Sequence, residues 1–187
     1  MDDHSKKAVL RWWRSMMLPV SRLKELHIQP ASTAHKAQLR RCESADTAML
    51  TEGFRALWLN LSDEITQSNN SKGIECWATI AVALVYVKGE SKYKLAVAAG
   101  MKGNGDKSVV SELRFSQLQN AKTSEEFLRR LRRIIQQVKG DVSVVNLAED
   151  IHQWFTEHGQ LRPRKADKRI SVKWAMDYYR AASSKAK

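Results

Sequence analysis

The sequence has few of the residues that interrupt helices or cross-link a chain. Its 187 residues include three prolines, eight glycines and two cysteines, and Cys42 and Cys76 form no CxxC pair. This argues against a disulfide framework and against a zinc ribbon, and it fits a reducing cytoplasm. The longest apolar run, residues 76–87, is too short to span a bilayer, and no signal peptide precedes the first predicted helix. We therefore expect a cytoplasmic protein with no membrane partner.

The sequence also lacks the patterns that are typical of enzymes. Its five histidines stand in no HxxxH or HExxH spacing, which argues against a metal site. Residues 100–105, GMKGNG, lack the lysine-serine ending of a phosphate-binding P-loop. Glu149 and Asp150 diverge by about 100° on a helix, so a solvated face explains them better than a carboxylate pair. We therefore expect no catalytic activity, no metal and no cofactor.

Helical periodicity covers most of the chain. Apolar residues recur with a period near 3.6 residues, which predicts an all-α protein, a compact multi-helix bundle of about eight to ten helices in two lobes. The first lobe is expected over residues 1–105, with a central buried helix over 73–88, and the second over residues 106–187. A basic helix over 125–139 belongs to the second lobe, and the polar stretch 62–72 is expected to be a loop.

Positive charge is the main excess in the composition. Lysine and arginine total 32 against 20 aspartates and glutamates, which gives a formal net charge of +12. An ordinary enzyme of this length rarely carries such an excess, and a polyanion such as nucleic acid is the leading explanation. The middle of the chain is close to neutral, so we expect a surface patch assembled from distant segments.

One predicted helix concentrates this charge. On a helical wheel, four arginines of the segment 125–139 fall opposite a continuous apolar arc about 120° wide. The arginines are Arg129, Arg130, Arg132 and Arg133, and the apolar arc contains Phe127, Leu128, Leu131, Ile134, Ile135 and Val138. Guanidinium groups stay charged near neutral pH and their planar fork suits phosphate, so this face favours nucleic-acid contact over a merely solvated surface. Thr123 or Ser124 is expected to cap the helix.

Two other basic positions leave alternatives open. Arg114 falls on the apolar side of its predicted helix, between Val110, Leu118 and Ala121. It therefore either pairs with a carboxylate in the interior or contacts nucleic acid. Arg40 lies one turn after Lys36, and together they can extend a basic surface.

Three segments, in matching order and spacing, resemble the CasB family, the small subunit of the type I-E CRISPR Cascade surveillance complex. The first is AQLRRCESADTAML, residues 37–50, and the second is SELRFSQLQNAKTSEEFLRRLRRII, residues 111–135. The third is VSVVNLAEDIHQWF, residues 142–155, which leads to VKWAMDYY, residues 172–179. The resemblance covers roughly residues 5–180.

The resemblance implies a two-lobed, all-α prokaryotic protein without catalytic activity, which acts in the cytoplasm as part of Cascade. Its partners would be the CRISPR guide RNA, the target DNA, the large subunit, the repeated backbone subunits and a second copy of itself. Basic surfaces of such a subunit stabilise the opened target, particularly the displaced DNA strand, while a separately recruited helicase-nuclease cleaves it. Carried onto the matching positions, the nucleic-acid contacts are Arg40, Arg41, Arg114, Lys122, Arg129, Arg130, Arg132 and Arg133.

Two other functions are compatible with the charge. A stand-alone helix-turn-helix DNA-binding regulator would use residues 94–118, in which a glycine-rich turn separates two predicted helices, although that turn is long for the motif. A scaffold whose basic surface binds an acidic protein is the other alternative. Sequence-specific duplex binding by the isolated chain would favour the regulator. An assembly that stays intact after nuclease treatment would favour the scaffold.

Overall fold

The structure, a computed structural model, describes residues 1–68, 70–103, 105–160 and 164–184. It consists of two units, Met1–Tyr86 and Val87–Lys187. The glycine-rich segment 100–105, where the sequence analysis places its lobe boundary, lies within the second of these units. The assignment of the lobes themselves stays a prediction.

Helices build most of the first unit. In residues 1–68 and 70–86 they are α1 (Asp3–Met17), α2 (Val20–Glu25), α3 (Thr33–Arg41), α4 (Ala45–Met49), α5 (Glu52–Trp58), α6 (Asp63–Thr66) and α7 (Ser71–Leu84). The apolar run that predicts a central helix forms α7, which packs against α3, α4 and α5. Residues 77–85 are all buried, so α7 is the central core element of this unit.

Short polar side chains cap the N-termini of several helices of the first unit. Asp2, Ser32, Ser44 and Thr51 each accept a hydrogen bond from a backbone N–H in the first turn of α1, α3, α4 and α5, respectively. The predicted loop over residues 62–72 is wrong in part, because it contains α6 and the first residues of α7. α6 is four residues long, which is too short to show a hydrophobic period in the sequence.

Helices and a small sheet form the second unit. Its described elements are β1 (Gly89–Glu90), α8 (Leu95–Gly100), α9 (Glu112–Gln119), α10 (Ser124–Gln137), β2 (Asp141–Val142), α11 (Val144–His158), a 3-10 helix (Ala166–Lys168) and α12 (Ile170–Ser183). The strands pair in parallel, with Gly89 opposite Asp141 and Glu90 opposite Val142. No pattern in the sequence predicts these strands, because two residues are too few to show alternation.

The predicted all-α fold class is confirmed. Twelve α-helices lie within the described residues, more than the eight to ten or so expected, because elements as short as α4 and α6 escape a periodicity argument. None of the helices that the structure describes has the length and hydrophobicity of a membrane-spanning segment.

The two helices of the helix-turn-helix alternative correspond to α8 and α9. Residues 101–111 separate them, far more than the turn of about three or four residues in that motif.

Aromatic rings join four helices of the second unit. Phe127 of α10 stacks on Trp154 of α11, with ring centres 4.1 Å apart, and its ring centre lies 6.3 Å from that of Trp174 of α12. Phe115 of α9 stacks on Tyr178 of α12, with ring centres 4.7 Å apart. All five rings are buried. Large aromatic side chains dominate the energetics of a core, so α9, α10, α11 and α12 share one stabilising cluster.

Close backbone packing joins α8 to α12. A Cβ atom at Gly100 would lie 2.3 Å from the carbonyl oxygen of Tyr178, so glycine is required for the two backbones to approach this closely. The hydroxyl of Tyr178 also donates a hydrogen bond to the carbonyl oxygen of Val110, at 2.7 Å. α12 is therefore held both at α8 and at the segment that leads into α9.

Asp150 on α11 does not lie on the solvated face that its position in the sequence predicts. Its carboxylate accepts a hydrogen bond from Trp174 Nε1 on α12, at 2.8 Å. Burial raises the pKa of Asp150 from 3.8 to about 7, and the hydrogen bond from Trp174 and the charge of Lys94 oppose this rise only in part. Lys94 also pairs with Asp177 of α12, at 3.2 Å.

This pKa predicts that stability changes with pH. The folded chain keeps the Asp150 proton up to about pH 7, whereas the unfolded chain releases it near pH 4. The stabilisation that comes from this proton is therefore present below about pH 4 and is lost as the pH rises through about 7. We expect Asp150→Asn to be about 1–3 kcal/mol more stable than the wild type at about pH 8, and to lose most of this advantage at about pH 4.

Urea unfolding followed by tryptophan fluorescence at the two pH values measures this difference. Other titrating groups are common to both proteins and cancel in the comparison. An identical pH dependence of the unfolding free energy in the two proteins would contradict the raised pKa of Asp150.

Candidate nucleic-acid interface

Two side chains, Thr123 and Glu126, form a reciprocal cap at the start of α10. Thr123 Oγ1 accepts a hydrogen bond from the backbone N–H of Glu126, at 3.2 Å, which confirms Thr123 as a predicted cap. The carboxylate of Glu126 reaches back and accepts a hydrogen bond from the backbone N–H of Lys122, at 2.8 Å. These contacts also place an acidic side chain at the positive end of the helix dipole. The start of the arginine-rich helix is therefore well defined.

The two faces of α10 differ in burial as the sequence predicts. The buried face consists of side chains that are each 2% exposed or less, namely Phe127, Leu128, Leu131, Ile134 and Ile135. Fully burying one side chain of this kind stabilises the fold by about 1.5–3 kcal/mol. Rotation of the helix would expose several of them, so their burial fixes the direction in which the arginines project.

Two arginines on α10 keep their hydrogen-bond donors available. Arg129 and Arg133 are exposed, and neither forms an ion pair or a hydrogen bond with any residue in the described part of the chain. Arg130 is half-buried, pairs with Glu126 one turn earlier, and donates a hydrogen bond to the backbone carbonyl of Gln117 on α9. Arg129 and Arg133 are therefore suited to a ligand, whereas Arg130 already has protein partners.

Arg114 is exposed, so the first of its two alternatives, pairing with a carboxylate in the interior, is wrong. The sequence places it between Val110, Leu118 and Ala121, but Val110 and Ala121 lie outside α9, where helical spacing does not apply. The buried residues of α9 are Phe115 and Leu118. Arg114 lies at the margin of that face, where its guanidinium reaches solvent.

A groove of about 450 Å³ runs between α9 and α10. It brings together three of the predicted arginines, Arg114, Arg130 and Arg133. The rest of its lining is uncharged and consists of Gln117, Ile134, Gln136 and Gln137. Sequence reasoning misses these glutamines, because tertiary packing decides which residues of α9 face α10 and no motif in the sequence marks them.

Arg40 has a different environment, in the first unit. Its Nε donates a hydrogen bond to the carbonyl oxygen of Val85, at 3.2 Å, and its guanidinium lies 5.8 Å from the ring centre of Tyr86. The hydroxyl of Tyr86 donates in turn to the carbonyl oxygen of Arg40, at 2.9 Å. Arg40 therefore ties α3 to the end of α7, in addition to any contact that it makes with a ligand.

The other predicted residues lie at the surface with differing exposure. Arg41 is exposed on a shallow groove that it shares with Arg55, but two glutamates line the same groove and offset the charge. Lys122 is exposed and Arg132 is half-buried. Arg40 and Arg41 belong to the first unit, and the other six predicted residues belong to the second.

A second basic groove, on the first unit, carries residues that the sequence analysis does not single out. It lies along α1, has a volume of about 340 Å³, and is lined in part by His4, Lys7, Arg11, Gln29 and Asn60. The three basic residues recur at intervals of three and four positions, so they share one face of the helix. That spacing in the sequence could have predicted a basic face on α1.

The contacts of Glu126 predict that its substitution destabilises the protein more than substitution of its neighbour Glu125, which also lies in the first turn of α10. Glu126→Ala removes the bonds to the Lys122 backbone and to Arg130, so we expect a loss of about 1–2 kcal/mol in unfolding free energy. Glu125→Ala removes the same charge from an exposed side chain that has no partner in the described chain. We expect this control to change stability by less than about 0.5 kcal/mol. Chemical denaturation measures both values, and equal losses would contradict the role given to Glu126.

Comparison with known protein families finds one whose model matches residues 35–179, and its description is CRISPR-associated protein Cse2. No curated protein and no solved structure matches the chain. The matched range begins in α3 and ends in α12. It contains all eight of the predicted nucleic-acid contacts, and it leaves out α1 and α2.

Proposed function

Because the chain belongs to the Cse2 family of CRISPR-associated proteins, we propose that it is a non-catalytic small subunit of a CRISPR Cascade surveillance complex. In this role it stabilises opened target DNA, and the displaced strand in particular, during antiviral defence. Its partners are the guide RNA and target DNA, the large and backbone subunits of the complex, and a second copy of itself. It acts in the cytoplasm of a prokaryote.

One observation carries this proposal. Arg129 and Arg133 are exposed and without protein partners in the described chain, on a helix whose opposite face is buried, and Arg114 joins Arg133 at the groove beside them. Guanidinium groups that carry no acid partner attract phosphate without competition from the protein. A rigid helix holds their backbone in place, so binding of a strand has to order only the side chains.

The physical effect of such a surface is largest when a duplex opens. Replacing DNA pairs with guide–target pairs is close to balanced in free energy, so contacts to the strand backbone can decide whether the opened state persists. A basic track lowers the free energy of the exposed strand without reading its sequence. The surface therefore favours the opened state for any target that the guide selects.

The proposal assigns binding to this surface and no bond-making step. An arginine keeps its proton near neutral pH, so it cannot serve there as a general base. Cleavage of the target would then belong to another component that the complex recruits.

Charge reversal on α10 tests the proposal. We expect Arg129→Glu combined with Arg133→Glu to weaken retention of target DNA by the assembled complex at least about tenfold, because two attractive contacts with phosphate become repulsive. The matched control is Lys24→Glu combined with Lys107→Glu, which makes the same change in net charge at two exposed lysines outside α10. Gel-shift or filter-binding titrations at several salt concentrations measure the affinity.

Circular dichroism of each variant checks that its helical fold is retained, which the comparison of affinities requires. If the α10 variant and the control retain DNA equally well, this face of the protein does not contact the strand and the proposed function of the surface is wrong.

A further inference from the structure

The groove between α9 and α10 contains more than phosphate binding requires. A track for a strand backbone needs cations on an open surface, and Arg129 on the outer face of α10 already meets that description. The groove is lined by three glutamines, Gln117, Gln136 and Gln137, in addition to its arginines. Amides are suited to the edge of a nucleobase, which forms hydrogen bonds, and a guanidinium plane is suited to its face.

The amide of Gln137 points to a ligand in this groove. Its Oε1 is shielded from solvent and has no hydrogen-bond partner within the part of the chain that the structure describes. A shielded polar atom without a partner is unfavourable, and rotation of the amide can present either an acceptor or a donor at that position. When the amide turns toward the groove that Gln137 lines, a ligand with a complementary edge satisfies it.

Arg130 differs from the other two arginines of the groove. Its guanidinium is already engaged by the Glu126 carboxylate and by the backbone carbonyl of Gln117, so its charge is balanced and its plane is held in position. An oriented guanidinium plane is a surface on which a base can stack. Arg114 and Arg133 have no protein partner in the described chain and remain available for phosphate.

We infer that this groove takes one unstacked base of a single-stranded nucleic acid. Arg114 and Arg133 hold the phosphates on either side of that nucleotide, the base lies against the Arg130 plane, and the Gln137 amide turns to bond to the edge of the base. The volume of about 450 Å³ lies in the range of sites that hold small molecules and exceeds the needs of a phosphate alone. This inference rests on the proposed function, since it adds base contact to the same surface.

The test compares two oligonucleotides that carry the same charge. One is a fluorescein-labelled oligothymidylate of about 15 nucleotides, and the other has the same length but abasic residues in place of the bases. Fluorescence anisotropy with the full chain measures both affinities. We expect the wild type to bind the base-bearing strand about tenfold more tightly, because stacking and the amide contact exist only with a base.

Substitution at Gln137 assigns that preference to the groove. Gln137→Leu removes an amide whose shielded oxygen has no partner in the described chain, so it should leave the fold intact, keep the affinity for the abasic strand and lose most of the preference for bases. Gln160→Leu makes the same change at an exposed glutamine that does not line the groove and should behave as the wild type does. Arg133→Ala should weaken binding of both strands by the same factor.

Each outcome separates this inference from the proposed function. Equal affinity of the wild type for the two strands, or an unchanged preference in Gln137→Leu, would overturn the base site and leave phosphate binding in place. Failure of the wild type to bind either strand would contradict the proposed function itself and the base site with it.

Discussion

Burial of the apolar face of α10 is the constraint on which the candidate interface depends. Phe127, in the first turn of this helix, is stacked on Trp154 and faces Trp174, so α10, α11 and α12 are held through one aromatic cluster. Because this face cannot leave the core without a large loss of stability, the arginines on the other face have a fixed direction. The positive surface is therefore a consequence of core packing and does not require a ligand in order to form.

The arginines of this Cse2-family chain divide into those that support the fold and those that remain available. Arg130 and Arg40 each donate to a backbone carbonyl of a neighbouring element, which joins two parts of one unit. Arg129 and Arg133 make no such contact in the described residues. A count of charges in the sequence treats all four arginines alike. Their hydrogen bonds and ion pairs in the structure show which of them already have protein partners.

Local features were predictable from the sequence, and tertiary ones were not. The two faces of α10 and its cap at Thr123 follow from periodicity and capping chemistry, which act within one helix. The interior alternative for Arg114 was wrong because the ends of α9 depend on the surrounding structure, which leaves Val110 and Ala121 outside the helix. The groove and its unpartnered Gln137 oxygen arise only where two helices meet, and the raised pKa of Asp150 arises mainly from burial in the folded chain.

The salt dependence of single-strand binding tests the central claim most directly, because counterion release reports how many phosphates the protein neutralises. If Arg114, Arg129 and Arg133 each neutralise one phosphate, a plot of log affinity against log salt concentration has a slope about 2 more negative than that of the triple alanine variant (about 0.7 for each phosphate on a single strand). The account predicts this difference together with an unchanged helical fold of the variant. Equal slopes for the two proteins would contradict it.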